Sequence, residues 1–275
     1  MRAVDYILMK GNEKMNRIEE QMTALKSEGK KAFITYITAG LPDMEGTKRI
    51  LRAQFEAGID TVELGIPFSD PVADGPVIQD ASYRSIQNGT NLEKCLKMVE
   101  ELREDCQIPI VFMMYYNTVL HYGIESFAKE CNRVGVDGVI VPDLPFEEQE
   151  ELRTALKEAG DETILIQLIA PISKERIPML LKDARGFVYC VSSMGVTGQA
   201  ADFHKNVREY LSSVKKVSNV PVMLGFGIRV PEDVKPYIDT IDGAIVGTHL
   251  IELLEKSGYD EKKAAEYVRE FKKGL

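Results

Sequence analysis

The chain has 275 residues, of which 44% are hydrophobic and 28% charged, enough apolar material for a sizeable core. Its formal charge of −9 removes any electrostatic reason to seek nucleic acid or an anionic membrane, so an anionic ligand has to be held locally, by backbone amides or a few cations. Cys95, Cys106, Cys131 and Cys190 include no CxxC pair, no stretch is long and apolar enough to span a bilayer, and the charged N-terminus lacks the apolar core of a signal peptide, so a reducing, cytoplasmic setting is expected.

In chain order, the first predicted element is a helix over Asn16–Leu25, inside an N-terminal extension, residues 1–30. From residue 31 short apolar runs recur: Ala32–Ala39, Thr61–Leu64, Ile110–Met114, Gly138–Val141, Thr163–Ile169, Phe187–Val191, Val220–Leu224 and Gly243–Val246. Each reads as a buried strand rather than an alternating, half-solvated one. Amphipathic segments lie between them: Thr47–Ala57, Leu92–Leu102, Glu147–Ala159, Lys174–Leu181 and Asn206–Val217. Gly58, Gly135 and Gly160 sit where helix C-caps are needed. Strands alternating with helices over this length predict an α/β fold, a single (β/α)8 TIM-barrel domain over 1–275 whose barrel occupies 31–275, with the extra helix closing its lower mouth. A doubly wound open sheet shares the pattern. In a barrel, the loops after the strands form the active face.

The phrase VELGIPFSDPVADGP, Val62 to Pro76, puts Glu63 inside a strand and Asp70 and Asp74 on a proline-stiffened loop. Side chains alternate along a strand, so Val62 and Leu64 should face the helices and Glu63 the barrel interior. A buried carboxyl has a raised pKa and suits giving and taking a proton near neutrality. A structural glutamate paired with a buried cation is the other reading, although no strand core offers a Lys or Arg. Asp70 and Asp74 read either as turn formers or as positioned acids. Tyr189 reads as lining the barrel or as core packing, and Tyr36, Met113, Tyr115 and Phe226 as an apolar pocket wall or as plain core.

Three glycine-bearing loops follow late strands: SSMGVTG from Ser192, GFGIR over Gly225–Arg229, and VGTHL over Val246–Leu250. Their joint placement points to a phosphate cup of Gly227, Gly247 and Thr248, with Gly198 closing over the same group. The three histidines form no HxH or HxxxH pair, and no strand interior offers a Schiff-base lysine. The chemical kit is carboxylates, a tyrosine and a phosphate cup, and no metal site is expected.

The phrases AFITYITAGLPD, VELGIPFSDPVADGPVIQDASYR, SSMGVTG, GFGI and GAIVGTHLI, in this order, resemble the tryptophan synthase alpha subunit family over nearly the whole chain. The resemblance implies a TIM barrel that cleaves indole-3-glycerol phosphate to indole and glyceraldehyde 3-phosphate, holding no cofactor of its own. It also implies a beta-subunit partner, in an alpha2beta2 assembly, that uses pyridoxal phosphate to join indole and serine. By matching position, Glu63 and Asp74 are the expected catalytic acids and Tyr189 an active-site tyrosine. Gly198, Gly227, Gly247 and Thr248 match the phosphate cup, Thr197 the loop threonine that closes over the site, and Asp70, Pro71 and Asn117 the partner interface. Tyr36 and Met113 stand where some members carry Phe and Leu, and Ser193 and Met194 where better-known members carry Arg and Ser. Rival readings are another phosphate-binding barrel enzyme, a non-catalytic activating subunit, and a stand-alone indole-producing lyase.

Overall fold

The computed structural model describes residues 15–191, 200–225 and 227–275. Its strands are β1 Ala32–Thr38, β2 Thr61–Gly65, β3 Ile110–Met113, β4 Gly138–Ile140, β5 Ile164–Leu165, β6 Gln167–Ile169, β7 Val188–Val191, β8 Val222–Gly225 and β9 Gly243–Val246. The nine pair in the order β5-β4-β3-β2-β1-β9-β8-β7-β6, and every pairing is parallel. The two ends of that order are neighbours in the chain, separated by Ile166 alone, so the sheet closes on itself as a (β/α)8 barrel. The single strand expected over Thr163–Ile169 is thereby divided. Its first half pairs with β4 and its second with β7, while the Ile166 amide still donates to the Val139 carbonyl at 2.9 Å. One run must serve two neighbours, and the break is where it passes from one ladder to the other.

The helices are α1 Arg17–Ser27, α2 Met44–Glu56, α3 Pro76–Gln87, α4 Leu92–Leu102, α5 Tyr116–Tyr122, α6 Ile124–Val134, α7 Glu150–Glu158, α8 Ile177–Leu181, α9 Ala200–Val217, α10 Thr248–Lys256 and α11 Glu261–Gly274. The predicted helices 147–159 and 174–181 both begin as 3-10 turns, Phe146–Glu148 and Pro171–Arg176, before α7 and α8. Each turn begins at or just after a proline, which has no N–H to donate into a preceding turn. After β8 two 3-10 turns, Pro231–Asp233 and Lys235–Tyr237, stand in place of a helix. The predicted C-cap glycines follow their helices with positive φ: Gly58 at 87°, Gly135 at 85° and Gly160 at 132°. Among the described residues no helix is long and apolar enough to cross a membrane.

Two buried apolar layers result. Outward-facing strand residues, such as Val62, Leu64 and Phe112, pack on helix residues such as Ile50, Leu96 and Phe127. Each such side chain, fully buried, stabilises the fold by about 1.5–3 kcal/mol. Inward-facing Ile34, Val111, Ile140, Ile164, Ile166, Phe187, Met223 and Ile245 fill the barrel together with Ile18, Met22 and Leu25 of α1. Helix α1 therefore lies across the N-terminal mouth, as expected. It opens with a capping box: Asn16 accepts from the Glu19 amide while Glu19 accepts from the Asn16 amide.

Candidate active site

The carboxylates of the quoted phrase separate at the opposite, C-terminal mouth. Glu63 sits on β2 level with Tyr36 of β1 and Val111 of β3. It is 1% exposed, and its Oε1 has no hydrogen-bond partner. The alternation argument holds, since Val62 and Leu64 face the helix layer and Glu63 the interior. Among the described residues no buried cation answers the carboxyl. Burial alone pushes its pKa up to about 8, so the group is mostly protonated at neutral pH and changes state just above it.

Asp74 lies on the loop between β2 and α3. The Tyr115 hydroxyl donates to Asp74 Oδ2 at 2.9 Å and accepts from the Ala73 amide at 2.9 Å. The Asp74 amide donates to the Pro71 carbonyl at 3.0 Å, and Gln79 Nε2 donates to the Asp74 carbonyl at 2.9 Å. Partial burial raises the Asp74 pKa, and the Tyr115 hydrogen bond works against that rise by favouring the ionised form. Phe68 stacks on Tyr115 with ring centroids 5.1 Å apart, which steadies the donor. Tyr115, expected in the pocket wall, is thus also the holder of Asp74.

Tyr36 and Tyr189 enter from β1 and β7. Burial raises both hydroxyls above the usual tyrosine value, and the charges of Glu63 and Asp74 raise them further, so both stay neutral and able to donate. Met113 ends β3 at the same mouth, touching both the barrel interior and the small cluster around Tyr36. Sequence reasoning missed the two glycines that make room for these tyrosines. Gly65 ends β2 and Gly225 ends β8. A Cβ on Gly65 would collide with the Tyr36 hydroxyl, and one on Gly225 with the Tyr189 hydroxyl. Both strands close on Leu-Gly, a signal that was available and that buried-strand logic does not explain.

Of the cup residues, Gly247 caps the N-terminus of α10 and Thr248 is its first residue, an end whose free amides attract anions. Gly227 lies just beyond β8 with φ of 75°, a conformation that favours glycine. Thr197, Gly198 and Phe226, with Ser193 and Met194, lie outside the described residues. Asp70 is exposed and takes a 2.6 Å hydrogen bond from Ser69 rather than joining Glu63 and Asp74. Pro71 lies one residue along, half-buried, and Asn117 stands exposed in the first turn of α5. Among the described residues no group of three or more His, Cys, Asp or Glu side chains could hold a metal ion.

A family model described as tryptophan synthase alpha chain matches residues 22–275. The tryptophan synthase alpha chain of Lachnospira eligens is 61% identical over 262 residues, covering 95% of this chain and 99% of that protein. That of Thermoanaerobacter sp. is 47% identical, covering 95% and 98%. The crystal structure of tryptophan synthase subunit alpha from Legionella pneumophila superposes with a TM-score of 0.86 at 32% identity, over 95% of this chain and 98% of that one. A ligand-free tryptophan synthase from M. tuberculosis gives 0.83 at 30%, over 94% and 99%. Sequence and backbone agree from end to end of the barrel, and the chain belongs to the tryptophan synthase alpha chain family.

Proposed function

We propose that Glu63 and Asp74 carry out the lyase reaction of this family in this chain, the retro-aldol cleavage of indole-3-glycerol phosphate to indole and glyceraldehyde 3-phosphate. The observation that carries the assignment is a buried acid on β2, its Oε1 without a hydrogen-bond partner among the described residues, at the same barrel mouth as a second acid held by Tyr115. Breaking the C3–C3′ bond requires the indole ring to accept an electron pair. Protonated Glu63 delivers its proton to indole C3, and the ring nitrogen becomes an iminium. The Glu63 carboxylate then takes the C3′ hydroxyl proton, the oxygen's electrons form the aldehyde, and the bonding pair returns to the ring. Glu63 ends protonated, ready for another cycle. Its pKa near 8 suits both halves of this exchange.

Asp74, as the anion that Tyr115 favours, accepts from indole N1–H and stabilises the iminium. Acid–base help of this kind contributes ~10²–10⁴ in rate, and a preorganised charge in a dry site several kcal/mol more. Tyr36, Met113, Tyr115 and Phe226 would surround the indole, and Tyr189 would be an active-site tyrosine beside it. Gly198, Gly227, Gly247 and Thr248 would hold the phosphate, with Thr197 closing the loop. No cofactor is assigned to this chain.

Partner binding is assigned to the rim around Asp70, Pro71 and Asn117, where Val72 is 83% and Leu120 51% exposed. Apolar side chains left in water beside polar ones fit a protein interface. The partner is a pyridoxal-phosphate-dependent beta subunit, in an alpha2beta2 assembly of the cytoplasm. The test is steady-state cleavage of indole-3-glycerol phosphate by the wild type, Glu63→Gln and Asp74→Asn, with and without added beta subunit. Each variant should lose at least about 10²-fold in kcat while still binding substrate. Wild-type-like turnover in either variant removes that residue from its role.

A further inference from the structure

The lower end of the barrel carries an inference that rests on the proposed role of Glu63 and deepens it. Ile18 of α1 is fully buried and belongs to the barrel's interior cluster, not to the outer layer between strands and helices. Two glycines admit it. A Cβ on Gly138 would lie 3.1 Å from Ile18 Cδ1, and one on Gly186 3.2 Å from Ile18 Cγ2. Val111 reaches the same spot, 3.4 Å from the Gly138 position, and Val111 is the register neighbour of Glu63. The cluster that Ile18 joins is made of apolar side chains, and the one polar side chain below Glu63 on the inward face of β2, Thr61, already donates its hydroxyl to the Asp60 carbonyl at 2.7 Å.

The helix that carries Ile18 is tied to the rim at several strand starts. Asn16 Nδ2 donates to the Asp137 and Glu162 carbonyls at 2.8 and 2.9 Å. Arg17 pairs with Asp137 at 2.8 Å, Gln21 donates to Asp60 at 2.9 Å, and Glu19 pairs with Arg185 at 2.9 Å. Asp60, Asp137, Glu162 and Arg185 precede β2, β4, β5 and β7. So many tethers on one short helix fix its depth as well as its presence.

We propose that Ile18 is a positioning residue for Glu63: as the floor of the barrel, it keeps water and polar groups from reaching the carboxyl from below. Among the described residues, the titratable groups coupled to Glu63 are Tyr36 of β1 and Tyr189 of β7, and both of these are coupled to Asp74 on the loop after β2 as well. From β3 Glu63 meets Val111. Burial, not a charge, therefore raises its proton affinity, and a polar side chain placed in the floor would lower it.

The test compares Ile18→Asn with Ile18→Leu, two side chains of similar shape and opposite polarity. The Glu63 proton is followed by the infrared band of its protonated carboxyl, isolated by subtracting the spectrum of the same protein with Glu63→Gln. Ile18→Leu should keep the wild-type midpoint, and Ile18→Asn should lower it by at least about one pH unit, a tenfold loss of proton affinity. If Ile18→Asn does not fold, Ile18→Thr takes its place against Ile18→Val. An unchanged midpoint in a folded polar variant, or an equal fall in the polar and apolar variants, overturns the proposal. The pH profile of kcat/KM for indole-3-glycerol phosphate is measured on the same proteins. A midpoint that falls while the rate profile stays put upholds the floor and instead removes Glu63 from the reaction.

Discussion

At the scale of the residue, Glu63 sets a cost that the rest of the fold absorbs. Its carboxyl is held near pKa 8 in the folded chain against an ordinary value of 4.5. Between those pH values the unfolded chain has released the proton and the folded chain retains it. The folded state therefore binds more protons, and the stability attributable to this group is fully present below pH 4.5 and lost as pH rises through 8. In Glu63→Gln that loss is absent. Urea unfolding should show the variant gaining on the wild type from pH 5 to pH 8, by on the order of a few kcal/mol. A gap that stays constant with pH would mean that Glu63 titrates normally. Gly65 is the complementary case, a residue whose role is to be absent above Cα. Gly65→Ala should force the Tyr36 ring out of its place, raising KM for indole-3-glycerol phosphate by roughly tenfold with a smaller effect on kcat. Unchanged kinetics would show that Tyr36 does not border the substrate.

At the scale of the element, the loop after β2 and the helix before β1 do related work at opposite ends of the barrel. The loop holds Asp74 through Tyr115, a residue of the next strand's loop, so two βα units must be in register for one acid to be placed. Proline restricts the loop, but the tyrosine fixes the carboxylate. Helix α1 is tied to the barrel by its first turn as well as by its apolar face. Asn16→Ala removes the capping interaction and two hydrogen bonds to strand-start carbonyls. The loss should be about 2–3 kcal/mol in urea unfolding, more than a helix cap alone contributes. A loss under about 1 kcal/mol would show that α1 is held by its apolar face alone.

At the scale of the whole molecule, the loop that carries Asp74 inward presents Asp70 and Val72 outward. Under the proposed function one short segment would touch the chemistry on one side and the partner on the other, so docking there would alter how Asp74 is held. Asp70→Ala should keep basal cleavage and lose at least about half of the activation by the beta subunit, measured as the ratio of indole release with and without it. A fall in basal activity as deep as that of Asp74→Asn would place Asp70 in the reaction instead.

What the amino-acid order determined by itself is the repeating architecture and the inward aim of Glu63, because both follow from local rules. Strand alternation is a two-residue period, helix caps are read from single glycines, and a run of buried strands needs no knowledge of what lies across the barrel. The phrase around Glu63 and Asp74 was distinctive enough to mark the family. Other features depended on residues far apart in the chain: the grip of Tyr115 on Asp74, the room that Gly65 and Gly225 leave for two tyrosines, and the entry of Ile18 past Gly138 and Gly186. Asp70 and Asp74, four residues apart and alike in local pattern, were told apart at first by family resemblance alone, and the folded loop turns one toward water and the other toward Tyr115. Short-range periodicity is set by the backbone, but which side chains meet inside a closed barrel is set by shear and closure, and only the tertiary structure decides that.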